Sequence, residues 1–132
     1  MKNKILLAGL FCCSLISTEA QVLLDKNAGK NSFPIVSPSA NVVVCFDGKD
    51  ETVVRKSVSL FTDDVRRVTG QDLKAQASNP GEVSARYAII VGTAGKSAWI
   101  DALTAKKKID ITPIAGGWER YMIETVDNPA PG

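Results

Sequence analysis

The chain has 132 residues, a formal net charge of +2 and no histidine. This length accommodates one domain, and so small a net charge excludes the basic footprint of a nucleic-acid-binding protein. The absence of histidine removes the commonest general base and metal ligand of enzymes. We therefore expect one domain that holds neither a metal ion nor another cofactor.

The N-terminal residues 1–20 have the layout of a secretory signal peptide. Lys2 and Lys4 form a short basic region, and residues 5–16 form an apolar run that is too short to span a membrane. This pattern predicts export to the periplasm or the extracellular space after cleavage near Ala20. Two alternatives stay open, namely a buried hydrophobic helix and a lipoprotein whose lipid-linked residue is Cys13.

Residues 21–32 are predicted to be a linker. Cys45 is then the only cysteine of the exported chain, because Cys12 and Cys13 belong to the signal peptide. One cysteine forms no internal disulfide, so a hydrophobic core must stabilise the domain. Its place in an apolar run predicts that Cys45 is a buried, unreactive thiol.

Residues 33–132 are predicted to form an α/β domain with a mixed β-sheet and two main helices, in the order β-β-α-β-β-α-β. Its first half begins with a short extended piece at 33–37, followed at 41–46 by a β-branched run typical of a strand buried on both faces. A helix between Glu51 and Gly70 follows, because apolar residues recur there at helical spacing, namely Val54, Val58, Phe61, Val65 and Val68.

The second half of the domain repeats the alternation of strands and helices. We expect strands at 72–77 and 87–93, separated by a loop rich in turn-forming residues. A helix at about 96–107 buries Trp99, Ala102 and Leu103 and carries three lysines in its last turn, where cations suit the helix dipole. A final strand is predicted at 118–126.

The stretch GTAGKS at 92–97 resembles a phosphate-binding P-loop, because it joins a strand to a helix. The P-loop requires a glycine five residues before the glycine that precedes lysine, and Ile90 stands at that position. We interpret the stretch as a turn that needs glycines for its backbone angles. Weak binding of an anion by the amides at the start of the helix is the alternative.

Carboxylates and aromatic residues supply the remaining candidates for chemistry. Two acidic residues, Asp47 and Asp50, follow the second strand and can cap the helix after them. Trp118 and Tyr121 could stack on a sugar or pack against a neighbouring element. We predict no catalytic residue, because no pair stands out among the carboxylates available for acid–base work, which are Asp47, Asp50, Asp63, Asp64, Asp101, Asp110 and Glu119.

Three stretches together resemble the N-terminal domain of glycoside hydrolase family 115, the xylan α-1,2-glucuronidases. They are DVRRVTGQDL, AIIVGTAGKSAWIDAL and GGWERYMIETVDNPAPG, and the last is the most specific. The resemblance covers residues 33–132. It implies a non-catalytic accessory domain of a secreted enzyme that removes (4-O-methyl-)glucuronic acid from xylan with inversion, while the catalytic groups belong to a following (β/α)8 barrel.

The same resemblance implies that residues 128–132 are a turn before another strand. We therefore expect a fragment that is incomplete at its C-terminal end and inactive by itself, whose partners are the missing barrel and, through the parent enzyme, xylan. A free-standing carbohydrate- or anion-binding module is the alternative function. Neither function requires nucleic acid or a membrane span.

Overall fold

A computed structural model describes residues 29, 32–37 and 39–129. The predicted signal peptide and most of the predicted linker lie outside the described residues. The α/β class is confirmed by three strands and two helices. Their order along the chain is β1 (Val42–Phe46), α1 (Thr52–Thr69), β2 (Lys74–Ala77), β3 (Tyr87–Val91) and α2 (Ala98–Ala105).

The three strands form one sheet in the order β2-β1-β3. Both pairings are parallel, and Val44 at the centre of β1 lies opposite Ala75 on one side and Ile89 on the other. The sheet is therefore parallel throughout these strands rather than mixed. Parallel pairing follows from the connections, since a helix or a long loop returns the chain to the starting edge before each new strand.

The central strand β1 is buried on both faces, as its apolar run predicts. Val43 and Cys45 pack against Trp99 of α2 on one face. Side chains alternate along a strand, so Val42 and Val44 point to the opposite face, and both are buried. Since α1 contacts β1 and β2, it covers that second face.

Helix α1 buries most of its predicted apolar stripe. Val54, Val58 and Val65 are buried, and Phe61 is half-buried. The prediction is wrong for Val68, which lies in the last turn of the helix and is 85% exposed. The helix ends at Gly70, whose left-handed conformation lets its N–H donate to the Arg66 carbonyl at 2.8 Å.

Helix α2 is shorter than its pattern predicts. Trp99 and Leu103 are buried, and Ala102 is half-buried. Lys106 is the C-cap residue and Lys107 has a left-handed φ of 54°, so the three lysines follow the helix instead of forming its last turn.

The first and last predicted strands do not form. The piece at 33–37 lies outside the sheet, although the Phe33 ring packs edge-on against Tyr87 of β3 at 5.6 Å between centroids. The predicted strand at 118–126 is interrupted by Glu119, whose φ of 54° breaks an extended backbone. Residues 120–126 beyond it run without a helix, turn or bend, and pair with no described strand.

Candidate functional site

The carboxyl ends of β1 and β3 meet at one edge of the sheet. The chain leaves β1 through residues 47–51 towards α1, and leaves β3 through residues 92–97 towards α2, on the opposite face. In open parallel sheets, the crevice between two such diverging connections is the usual place for a ligand. We call these two segments, 47–51 and 92–97, the switch crevice.

Asp47 is the central group of the switch crevice. Its carboxylate is buried and accepts hydrogen bonds from the backbone N–H of Ala98, at 2.9 Å, and of Lys49, at 2.8 Å. The bond from Ala98, then that from Lys49, lowers the pKa of Asp47 below its ordinary value of 3.8. Asp47 therefore serves as an anionic cap for α2, although the sequence suggested a cap for the helix that directly follows it.

Asp50 joins the two segments of the switch crevice. One of its carboxylate oxygens accepts from the Thr93 N–H at 2.7 Å, and the other accepts from the Glu51 N–H, also at 2.7 Å. Helix α1 begins after Glu51 without a side-chain cap. Neither Asp47 nor Asp50 caps α1, because both carboxylates turn towards the connection between β3 and α2.

Two further groups of the GTAGKS stretch, the Gly95 N–H and the Lys96 ammonium, also contact carboxylates. The Gly95 N–H donates to a carboxylate oxygen of Asp101 at 3.1 Å, and Lys96 forms an ion pair with Glu51. The hydrogen bond and charge of Glu51 raise the pKa of Lys96 above its ordinary value of 10.5. The amides of Thr93, Gly95 and Ala98 thus donate to carboxylates of the chain itself, while those of Lys96 and Ser97 donate to the Thr93 carbonyl.

Ser97 shows why the stretch requires glycine at position 92. The Ser97 side chain is fully buried, and its hydroxyl has no hydrogen-bond partner among the described residues. A Cβ atom on Gly92 would overlap the Ser97 hydroxyl and lie 2.6 Å from the Ser97 Cβ and 2.9 Å from the Ile100 Cγ1. Gly92 therefore permits close packing of α2 against β3, whereas Gly95, with a φ of 76°, is the glycine of this turn that the predicted backbone angles require.

The structure brings some of the candidate carboxylates together. Asp47, Asp50 and Asp101 surround the 92–97 turn, while Asp63 and Asp64 lie on the exposed side of α1, where they pair with arginines. A general acid requires a raised pKa. The described carboxyl groups whose pKa is shifted, which are Asp47, Glu82 and Asp110, are all lowered by hydrogen bonds.

Sequence reasoning missed Glu51 and Lys96 as members of the crevice. Their contact joins residues 45 positions apart, so no local spacing signals it. In the part of the chain that the structure describes, no group of three or more potential ligands could hold a metal ion. Cys45 is buried, and burial raises the pKa of its thiol, so it remains protonated near neutral pH.

A second candidate surface lies after α2. Trp118, Tyr121 and Ile123 are 88%, 83% and 77% exposed. We call these three side chains the C-terminal apolar surface. A shallow open depression of about 430 Å³ lies nearby, lined by Thr104, Lys107, Lys108, Ile109, Asp110 and Glu124.

No protein-family model and no curated protein matches this chain. Within the described residues, neither helix combines the length and the apolar character needed to cross a bilayer.

Proposed function

We propose that this chain is the N-terminal, non-catalytic domain of a secreted glycoside hydrolase that removes (4-O-methyl-)glucuronic acid side chains from xylan. The specific part of the proposal starts from the resemblance of residues 33–132 to the family 115 accessory domain. The non-catalytic part is supported by one observation, which is that carboxylates of the chain itself accept hydrogen bonds from backbone amides around the switch crevice.

Because these amides are already hydrogen-bonded within the chain, the switch crevice favours a structural role for this domain. A ligand-binding α/β domain presents free backbone amides at the start of a helix, where they bind an anion. Here the amides of Thr93, Gly95 and Ala98 donate to Asp50, Asp101 and Asp47. Displacing these carboxylates would leave charges near the sheet without their hydrogen bonds, which is costly.

The C-terminal apolar surface supports contact with a further part of the enzyme. Several large exposed apolar side chains in one short segment are a common feature of a protein interface or a ligand-binding surface. Trp118, Tyr121 and Ile123 lie within six residues, in the stretch that carries the most specific part of the resemblance. In this proposal they pack against the catalytic barrel, which supplies both carboxylic groups of the inverting reaction.

The coding sequence that follows Gly132 tests the proposal most directly. We expect it to encode a (β/α)8 barrel in the same reading frame. A second test incubates the purified chain with glucuronoxylan and measures released glucuronic acid by chromatography. We expect no release, and either a stop codon directly after Gly132 or enzymatic release by the chain alone would contradict the proposal.

A free-standing carbohydrate-binding module is the second candidate, and the exposure of Trp118 and Tyr121 is the observation in its favour. Sugars stack on such rings. A calorimetric titration with xylan oligosaccharides separates the two functions. Val68→Ala is the control, because it removes another exposed apolar side chain. A binding heat that disappears in Trp118→Ala and remains in Val68→Ala would support the module. A flat titration with the unaltered chain would exclude it.

A further inference from the structure

The two outer strands of the sheet present edges of different character. Strand β2 is short and mostly exposed, and it begins with the charged residue Lys74. A charged, solvated edge of this kind resists pairing with another strand. Strand β3 has the sequence YAIIV, contains no charge and is half-buried along its whole length. The edge of β3 thus lacks the protection that the edge of β2 has.

The hydrogen bonds identify which backbone groups of β3 are free. The Tyr87 N–H donates to the Asn41 carbonyl beside β1 at 3.2 Å. Backbone groups alternate in direction along a strand, so those of Tyr87, Ile89 and Val91 face β1. The N–H and C=O groups of Ala88 and Ile90 therefore point to the opposite edge, where no described residue pairs with them.

The handedness of the connections indicates where a strand after α2 belongs. A connection between parallel strands of one sheet is right-handed in nearly all proteins. Helix α1 covers one face and leads from β1 to β2, while α2 packs on the other face through Trp99. The connection through α1 takes the chain from β1 towards the β2 edge of the sheet. Because α2 lies on the opposite face, a right-handed connection through α2 takes the chain in the opposite direction, away from β1. The strand after α2 then lies beyond β3.

Residues 120–126 are the segment of this chain suited to that place. They contain no helix, turn or bend, and residues 92–119 between them and β3 far exceed the minimum of about a dozen that a parallel crossover needs. In the structure the Lys108 ammonium donates to the Asp127 carbonyl at 3.3 Å, which holds the C-terminal end of the segment near the residues after α2, and docking as a parallel strand requires this exposed contact to break. Its residues include the strand formers Tyr121, Ile123 and Val126.

We propose that the free edge of β3 is an acceptor for residues 120–126, which dock on it as a fourth parallel strand and give the sheet order β2-β1-β3-β4. In the structure residues 120–126 are not paired with β3. Docking gives the N–H and C=O groups of Ala88 and Ile90 their missing partners. Tyr121 and Ile123 then project from one face of the enlarged sheet. This inference does not depend on the proposed enzymatic context.

Residue-specific amide exchange on the full chain, followed by NMR, tests the docking. The free edge of β2 is the internal reference, since Ser78 N–H donates to Phe46 and the amides of Ala75 and Ala77 therefore point away from β1. After correction for intrinsic rates, we expect Ala88 and Ile90 to exchange at least about tenfold more slowly than Ala75 and Ala77. Equal rates at the two edges would overturn the proposal.

Two proline variants, Met122→Pro and Ile123→Pro, test whether pairing is by a strand. Successive N–H groups of a strand point in opposite directions, and proline removes this donor. We expect one variant to lose the protection at Ala88 and Ile90 and the other to retain it. The Ile89 amide, which faces β1, reports whether β3 itself remains folded in each variant.

Three other outcomes would overturn the docking of the chain's own segment. Protection that survives in both variants would mean that a different segment covers the edge. Protection that both variants abolish equally would indicate packing without a hydrogen-bonded strand. Protection that increases with protein concentration would assign the edge to a second copy of the chain.

Discussion

The two tryptophans of the described chain occupy opposite environments. Trp99 is 3% exposed, packs on Val43 and Cys45, and donates its indole N–H to the Ser78 carbonyl at 2.7 Å. Trp118 is 88% exposed. Both belong to segments that the sequence predicts as regular structure. The difference shows that burial here depends on a helix lying against the sheet, which α2 provides for Trp99 and which no described element provides for Trp118.

Truncating each tryptophan gives the largest contrast between these regions. We expect Trp99→Ala to cost about 3–5 kcal/mol of unfolding free energy, because it removes a large buried ring and leaves a cavity. Trp118→Ala should change the stability by less than about 0.5 kcal/mol, as is usual at the surface. Denaturant unfolding with unchanged slope measures both values. Equal losses would mean that the segment around Trp118 packs as firmly as α2.

The packing beneath the switch crevice gives the next largest effect. Gly92→Ala places a methyl group against Ser97 and Ile100, and overpacking of this kind costs about 1–3 kcal/mol. Gly48→Ala is the matched control in the same crevice, because its added Cβ would lie 3.5 Å from the Ala77 Cβ, at ordinary contact distance. If both variants were equally stable, the close approach of α2 to β3 would be disproved.

The capping of α2 by Asp47 predicts that the unaltered chain and the variant Asp47→Asn differ in how much stability they lose in acid. Hydrogen bonding to the carboxylate lowers the pKa of Asp47 in the folded state below 3.8. Its stabilisation is therefore fully present above pH 3.8 and is lost as the pH falls through the folded pKa. Asp47→Asn retains an acceptor oxygen without the charge, so we expect it to be less stable near neutral pH and to lose less stability on acidification.

Asp64→Asn is the control for this titration, because it makes the same charge change at an exposed residue of α1. Thermal unfolding from pH 2 to pH 7 compares the three proteins. If acidification lowered the melting temperature of the unaltered chain and of Asp47→Asn by the same amount, Asp47 would not act as an anionic cap.

The ion pair between Glu51 and Lys96 should have the smallest effect. Both side chains are about half exposed, so solvent and salt screen their attraction. Glu51 raises the pKa of Lys96, and this stabilisation is present below pH 10.5 and is lost as the pH rises through the folded pKa. We expect Glu51→Gln to lower the melting temperature slightly at low salt and not at 1 M salt. An equal decrease at both salt concentrations would contradict this account.

Much of the fold could be predicted from the sequence, because the signals are local. The run at 41–46 predicts a strand covered on both faces, and β1 is such a strand. The spacing of Val54, Val58 and Val65 predicts the buried side of α1, which ends at Gly70 as expected. These patterns succeed because the repeat of a helix or strand determines which side chains share a face.

The candidate site was less predictable. The spacing of the GTAGKS stretch correctly favours a structural turn, but it does not reveal that Asp47 and Asp50 accept from this turn. The Asp47–Ala98 bond joins residues 51 positions apart, and the Asp50–Thr93 bond joins residues 43 positions apart. The order of the strands brings these groups together, and a residue pattern along the chain does not contain that order.

The sequence by itself determined the α/β class, the buried central strand and the apolar side of the first helix, since each depends on residues within one or two turns or strand repeats. Only the tertiary structure decided the order of the strands, the partners of the crevice carboxylates and the different exposure of Trp99 and Trp118. These features depend on which distant segments meet, because a side chain is buried and a carboxylate is paired only when another element lies against it.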